Sequence, residues 1–244
     1  MKENVYVISD IHGMEDLFEE ALEKWNKKTM QLILIGDLAD RGPKGKQCFY
    51  KAMKLAKEKG AIYLTGNHEE MFLNFLSNPE ERFHMYSING GIETLESFFF
   101  KGVDKEYSPT EMAMMIKSQH KELIRFLGEL PLYYEWKEYI FVHAGVNLLF
   151  RDWKYSTKQD FVWIREPFFK LPNQTGKIIV FGHTPTPLLH EENGNFDLWL
   201  HDNKIGIDGG GVYGGAVHGV LFKENGEMID NKFNNQTNPW QPRY

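Results

Sequence analysis

Three stretches decide the fold: VYVISDIHG (residues 5–13), LILIGDLADRG (residues 32–42) and AIYLTGNHE (residues 61–69). Each is a short apolar run that breaks off at a polar cluster around a glycine. Val5–Ser9, Leu32–Ile35 and Ala61–Thr65 have strand length and no alternation, which predicts strands buried on both faces. Between them lie two stretches of helical length. The first, about Glu15 to Lys27, puts Leu17, Phe18, Ala21, Leu22 and Trp25 on one face; the second, about Lys44 to Lys59, ends at Gly60. Strands alternating with helices imply parallel pairing under a helical cover, hence an α/β fold.

Further along, residues 70–130 read as mostly helical. A hairpin is expected over Tyr133–Trp136 and Tyr139–His143 around Lys137-Glu138, and another strand over Ile178–Phe181. Short strands with Gly-rich turns are expected from about Lys204 to Asp230. No repeat or long linker interrupts the chain, so 1–244 is expected to be one domain. The Asn-, Gln- and Pro-rich tail 231–244 is expected to be flexible, unless Trp240 pins it.

The bulk numbers narrow the function. A chain of 244 residues, 42% hydrophobic and 25% charged, can bury a substantial core. Its formal net charge of −6 argues against a general nucleic-acid binder. The lone Cys48 excludes an internal disulfide. With no signal-like start and no apolar run of membrane length, a cytoplasmic location and no membrane partner are expected. Oligomeric state is not readable.

Five polar clusters follow one plan, a strand and then a metal-type ligand beside a turn: Ser9–Gly13, Gly36–Gly42, Gly66–Glu69, His143–Gly145 and Gly182–Thr184. Residues beyond the carboxyl ends of neighbouring parallel strands converge. Asp10 and His12, two apart in extended chain, can face one ion. Asp37 has two oxygens and can bridge two cations. The Asn67 amide oxygen is a neutral ligand type, and His143 and His183 each end an apolar strand. Singly, each has an ordinary alternative as a turn former or a hydrogen-bonded core histidine. Together and in order, they point to a binuclear metal site. Asp40 and Arg41 share one tight loop, where Arg41 offers a fork for phosphate oxygens or a surface ion pair with Asp40. His68, adjoining Asn67, is placed to give a proton to a leaving group, with Asp40 orienting it and favouring its charged form.

These residues resemble the phosphoprotein phosphatase branch of the calcineurin-like metallophosphoesterases. The family pattern is G-D-x-H-G, G-D-x-x-D-R-G, G-N-H-E and two later histidines, and only Ser9 departs from it through Glu69. The resemblance implies two mixed β-sheets flanked by helices in a four-layer sandwich. It implies one metal on Asp10, His12 and Asp37, and a second on Asp37, Asn67, His143 and His183. Two divalent ions are expected, manganese first, with iron or zinc as alternatives. Arg41 and Asn67 would hold phosphate oxygens. Arg165, in VWIRE (residues 162–166), looks like a second phosphate-binding arginine, the alternative being an ion pair with Glu166 or Asp160. Hydrolysis would proceed by direct attack of a hydroxide bridging the metals, with His68 as acid.

Pro185 stands where nuclease and phosphodiesterase branches resemble one another in carrying a further histidine, which argues against a nuclease. Two substrate classes are left. The first choice is phosphoserine or phosphothreonine in proteins, and the alternative is a dinucleoside polyphosphate such as diadenosine tetraphosphate. Thr65 before G-N-H-E, His143-Ala144-Gly145, and Ile207–Gly210 near the end all differ from the eukaryotic protein phosphatases. Asn89–Thr94 looks like the small bacterial and phage enzymes. A catalytically silent binding module is the third alternative, and no loss of a ligand or of His68 signals it.

Overall fold

The first strand, β1 (Asn4–Ile8), sends alternate side chains to two different cores, and the layering follows from that. The computed structural model describes residues 2–190 and 194–235. After β1 come α1 (Glu15–Glu23), β2 (Met30–Leu34), α2 (Gly45–Lys59) and β3 (Ile62–Tyr63). Helices α3 (Asn67–Ser77), α4 (Pro79–Tyr86), α5 (Ile92–Phe98), α6 (Pro109–Gln119) and α7 (Lys121–Gly128) fill the middle. The hairpin β4 (Tyr133–Trp136) and β5 (Tyr139–Val142) precedes α8 (Lys158–Trp163), α9 (Glu166–Lys170), β6 (Ile178–Phe181) and α10 (Thr186–Leu189). The chain then adds β7 (Trp199–His201), β8 (Lys204–Gly206), β9 (Ala216–Phe222) and β10 (Met228–Asn234).

Two five-stranded mixed sheets result, ordered β10-β9-β1-β2-β3 and β4-β5-β6-β8-β7. In the first sheet β1, β2 and β3 run parallel, while β9 joins β1 antiparallel, Val5 opposite Phe222. In the second, β5, β6 and β8 run parallel between antiparallel edges. Val5, Val7, Ile33 and Ile35 meet Phe141, Val180, Ile205 and Ile207 between the sheets. Tyr6, Ile8, Leu32 and Leu34 face the opposite way, into α1, α2, α3, α6 and α7. On the far side, Ile140, Val142, Ile179 and Phe181 pack under Trp153, Phe161, Val162 and Phe168. Strand period two therefore generates helix, sheet, sheet and helix layers.

Most expected elements form where their pattern puts them. Helix α1 stops at Glu23, short of Lys27, yet Trp25 still packs and donates its indole N–H to the Met30 carbonyl at 3.0 Å. The expected flexible tail is corrected at its start. Residues 231–234 belong to β10, paired to β9 from Asn231↔Gly219 to Asn234↔Ala216, and the buried Asn235 donates to the carbonyls of Gly211 and Gly215, each at 2.8 Å. An edge strand meets its backbone needs on one side and keeps polar side chains in water, so a polar composition hides it. Residues 236–244, Trp240 among them, lie outside the described residues.

Candidate metal centre

The five polar clusters converge at the carboxyl ends of β1, β2, β3, β5 and β6. Asp10, His12, Asp37, Asn67, His143 and His183 are all buried. Asp37 lies at the middle: its Oδ1 is 3.3 Å from His143 Nε2, and its Oδ2 is 3.7 Å from His12 Nε2 and 3.9 Å from His68 Nε2. Asp10 Oδ1 is 3.9 Å from His12 Nε2. Asn67 Oδ1 lies 2.9 Å from both His143 Nε2 and His183 Nδ1. One carboxylate thus stands between two groups of imidazoles, and Asp37, His143 and His183 form one potential ion-binding set. His12, Asp37 and His68 form the other. His68 is tied there through Nδ1 to Asp40 Oδ2 at 2.7 Å, which leaves its Nε2 facing the centre without a hydrogen bond among the described residues.

The backbone is bent to make this convergence. Among the described residues, nine non-glycine residues have positive φ, and six of them are Asp10, His12, Asp37, Asp40, Arg41 and His183. Left-handed geometry costs a residue with a Cβ on the order of 1 kcal/mol, least for Asp, Asn and His. Strain collected on these candidate site residues marks a site whose geometry is imposed by its surroundings. The seam between sheets is equally tight. A Cβ at Gly182 would strike the Asp10 carboxylate and Ser9 Oγ. That closeness lets the His183 N–H donate to Asp10 at 3.1 Å across the seam.

Charge explains what the site demands. Burial drives the Asp10 carboxyl well above its usual range, and the neighbouring Asp208 adds to the rise. Asp208, also buried, is pushed up to about 6 by burial, partly offset by the Gly210 N–H it accepts at 2.9 Å. Burial works against a charged His143, yet Asp37, Asp10 and Glu69 together lift it to about 10. Buried carboxylates crowded this way need cations. Arg41 already supplies one, its Nη1 lying against His12 Nε2. Oxygen and imidazole donors without thiolate suit first-row divalent metals. Asp10, His12, Asp37, Asn67, His143 and His183 therefore fit a pair of such ions.

Other expected residues fall into place. Asp40 makes no surface ion pair with Arg41: it is buried, and accepts the Tyr86 hydroxyl at 2.8 Å. The loop carrying both is clamped by the 89–94 segment. Asp40 N donates to Thr94 Oγ1, and Arg41 N to the Gly90 carbonyl, each at 2.8 Å. Gly90 has φ +90° and touches Arg41 so closely that a Cβ would collide with it. Arg165 avoids both acids: Asp160 caps α8 through Thr157, and Glu166 pairs with Lys170. Arg165 Nε instead donates to Thr184 Oγ1 at 3.2 Å, on the His183 loop. One electrostatic expectation is revised. Burial, then Arg41, holds His68 well below the usual histidine range, so Asp40 orients the ring without keeping it charged.

Three contributors had no role assigned from sequence. Glu69 accepts four donors: the Asp37, Leu38 and Gly66 N–H groups at 2.8–2.9 Å and the Tyr63 hydroxyl at 2.7 Å. Only its spacing from Gly66, the reach-back of a helix N3 acid, hinted at this. Asp208 lies two residues beyond β8, beside Gly209 and Gly210, the same plan as the five clusters. Tyr86 lies within a helix and gave no local signal.

Comparison with known proteins identifies the family and the fold. The family model described as calcineurin-like phosphoesterase matches residues 3–208. The chain is 28% identical over 247 residues to an asymmetrical bis(5'-nucleosyl)-tetraphosphatase, PrpE, of Bacillus subtilis, covering 89% of this chain and 90% of that one. It is 25% identical to the enzyme of the same name from Anoxybacillus flavithermus, with the same coverage. Among solved structures, a putative diadenosine tetraphosphatase superposes with TM-score 0.66 at 19% identity, over 96% of this chain and 95% of that one. A serine/threonine phosphatase from Saccharomyces cerevisiae superposes at 0.58 with 14% identity, over 97% and 81%. At such identities the structures share the fold.

Proposed function

We propose that this chain, which belongs to the calcineurin-like phosphoesterase family and is thereby a metal-dependent phosphoester hydrolase, cleaves dinucleoside tetraphosphates asymmetrically. The observation that carries the hydrolytic reading is the position of Asp37, between the His12 and His143 nitrogens at 3.7 and 3.3 Å. The names of the sequence relatives favour the tetraphosphate over the phosphoprotein, reversing the order of preference given by the motifs alone. The reading treats the chain as one catalytic unit, because β9 near its end pairs with β1 at its start.

In this reading Asp10, His12 and Asp37 hold one divalent ion, and Asp37, Asn67, His143 and His183 hold the other. Manganese is the first choice, then iron or zinc. Such a pair lowers the pKa of water toward neutrality and balances charge on the reacting phosphate. Arg41, against His12, and Arg165, on the His183 loop, would bind equatorial phosphate oxygens. The water oxygen bonds to the phosphorus next to one nucleoside, and the bond to the bridging oxygen breaks. A nucleoside monophosphate and a nucleoside triphosphate leave. Burial raises the Asp40 carboxyl well above its usual range, so it can keep its own proton and give it to His68 Nδ1 at 2.7 Å. The neutral ring then carries its proton on Nε2, from which it can pass to the departing oxygen.

Manganese-loaded protein assayed on diadenosine tetraphosphate and on phosphoserine peptides tests this. A kcat/KM at least about tenfold higher on the tetraphosphate is expected. A preference of that size for the peptides would return the phosphoprotein to first place.

A further inference from the structure

Beside the metal centre, between α3–α4 and α8, lies a cavity of about 330 Å³. It shares walls with the centre. Tyr86, which donates to Asp40, forms part of its lining, and so does Trp163, whose ring centroid is 5.8 Å from that of His183. Met71 adds apolar surface, and Arg82, Asn74 and Gln159 complete the polar lining. Among the described residues, the side chains of those last three have no hydrogen-bond or ion-pair partner. The neighbouring acid, Glu70, is neutralised by Lys158 at 2.5 Å, so it does not turn the cavity against an anion.

We propose that this cavity receives one purine nucleoside of the substrate, with the base against Trp163 and Met71. The inference rests on the tetraphosphate reading above. An aromatic and thioether wall stacks a flat base. The amides of Asn74 and Gln159 carry both donors and acceptors, as a purine edge requires. Arg82 places a free guanidinium beside the polyphosphate leading to the metals. The volume lies at the small end of the roughly 300–1,000 Å³ usual for ligand sites. It suits one nucleoside and excludes the second, which matches cleavage into unequal halves.

The test fills the mouth from either side. Gln159 and Asn74 are exposed, so Gln159→Trp and Asn74→Trp leave the core intact. Wild type and both variants, manganese-loaded, are assayed on diadenosine tetraphosphate and on inorganic tetraphosphate, which has the anhydride without the nucleoside. Expected is a loss of about tenfold or more in kcat/KM on the nucleotide, with inorganic tetraphosphate changed less than about twofold. Nucleotide turnover within about twofold in both variants overturns the cavity and leaves the tetraphosphatase standing. Equal losses on both substrates overturn it too. Wild type that cleaves phosphoserine peptides but not diadenosine tetraphosphate removes the tetraphosphate reading, and this inference with it.

Discussion

The two sheets contribute to the proposed metal centre in different ways. The first supplies Asp10, His12, Asp37 and Asn67, mostly oxygen donors, from loops braced under a thick helical layer. Glu69 alone ties the backbone of Asp37, Leu38 and Gly66 to Tyr63. The second supplies His143 and His183, and these lean on the first. His143 Nδ1 bonds the Ile35 carbonyl at 2.8 Å, and the His183 N–H bonds Asp10. One sheet is the frame and the other a lid of imidazoles hung upon it. The centre's geometry is thus set by the first sheet and completed by the second.

The largest effect should come from breaking the frame at its centre. Asp37→Asn is expected to lose both ions and all measurable turnover, whereas His183→Asn should lose one ion. Elemental analysis decides: two ions retained in Asp37→Asn, or equal losses in both variants, would erase the difference between the sheets. Next, His68→Asn should lower kcat about 10²- to 10⁴-fold with metal content unchanged. An anhydride expels a far weaker base than a seryl alkoxide. The fall should therefore be smaller on diadenosine tetraphosphate than on a phosphoserine peptide, and the reverse order would remove His68 as acid. Smallest for catalysis is Glu69→Gln. All four of its contacts are donors, so Glu69 must accept at both oxygens, and an amide would set N–H against N–H. A loss of about 3 kcal/mol and a Tm lower by roughly 6–12 °C are expected. An unchanged Tm would show that the frame does not depend on this acid.

What was legible in the sequence follows the same division. The frame announced itself because its proposed ligands sit directly on apolar strands, next to glycines in short loops. His143 and His183 were legible for that reason too. The supporting residues were not. Tyr86 reaches Asp40 from a helix 46 positions away, and nothing local distinguishes it from a core tyrosine. Thr94 acts over 54 positions in the same manner. The pairing of β9 with β1 was likewise invisible, since apolar content reports burial and not a partner. Residues 231–234 of β10 were mistaken for the start of a loose tail because their pairing with β9 is a backbone ladder that a polar composition does not announce. The cavity beside Trp163 arises from three helices whose spacing only packing determines.

The pairing of Val5 with Phe222 also bears on how the protein is made. During synthesis β1 emerges first, and its partner β9 follows about 210 residues later. At roughly 5–20 residues per second, the first strand waits on the order of 10–40 s with one edge open. An open apolar edge is a template for the wrong strand, so the nascent chain is the form most exposed to aggregation and most in need of a chaperone. The same delay carries a benefit. His183 joins the proposed centre late, so a half-made chain cannot assemble that site in full.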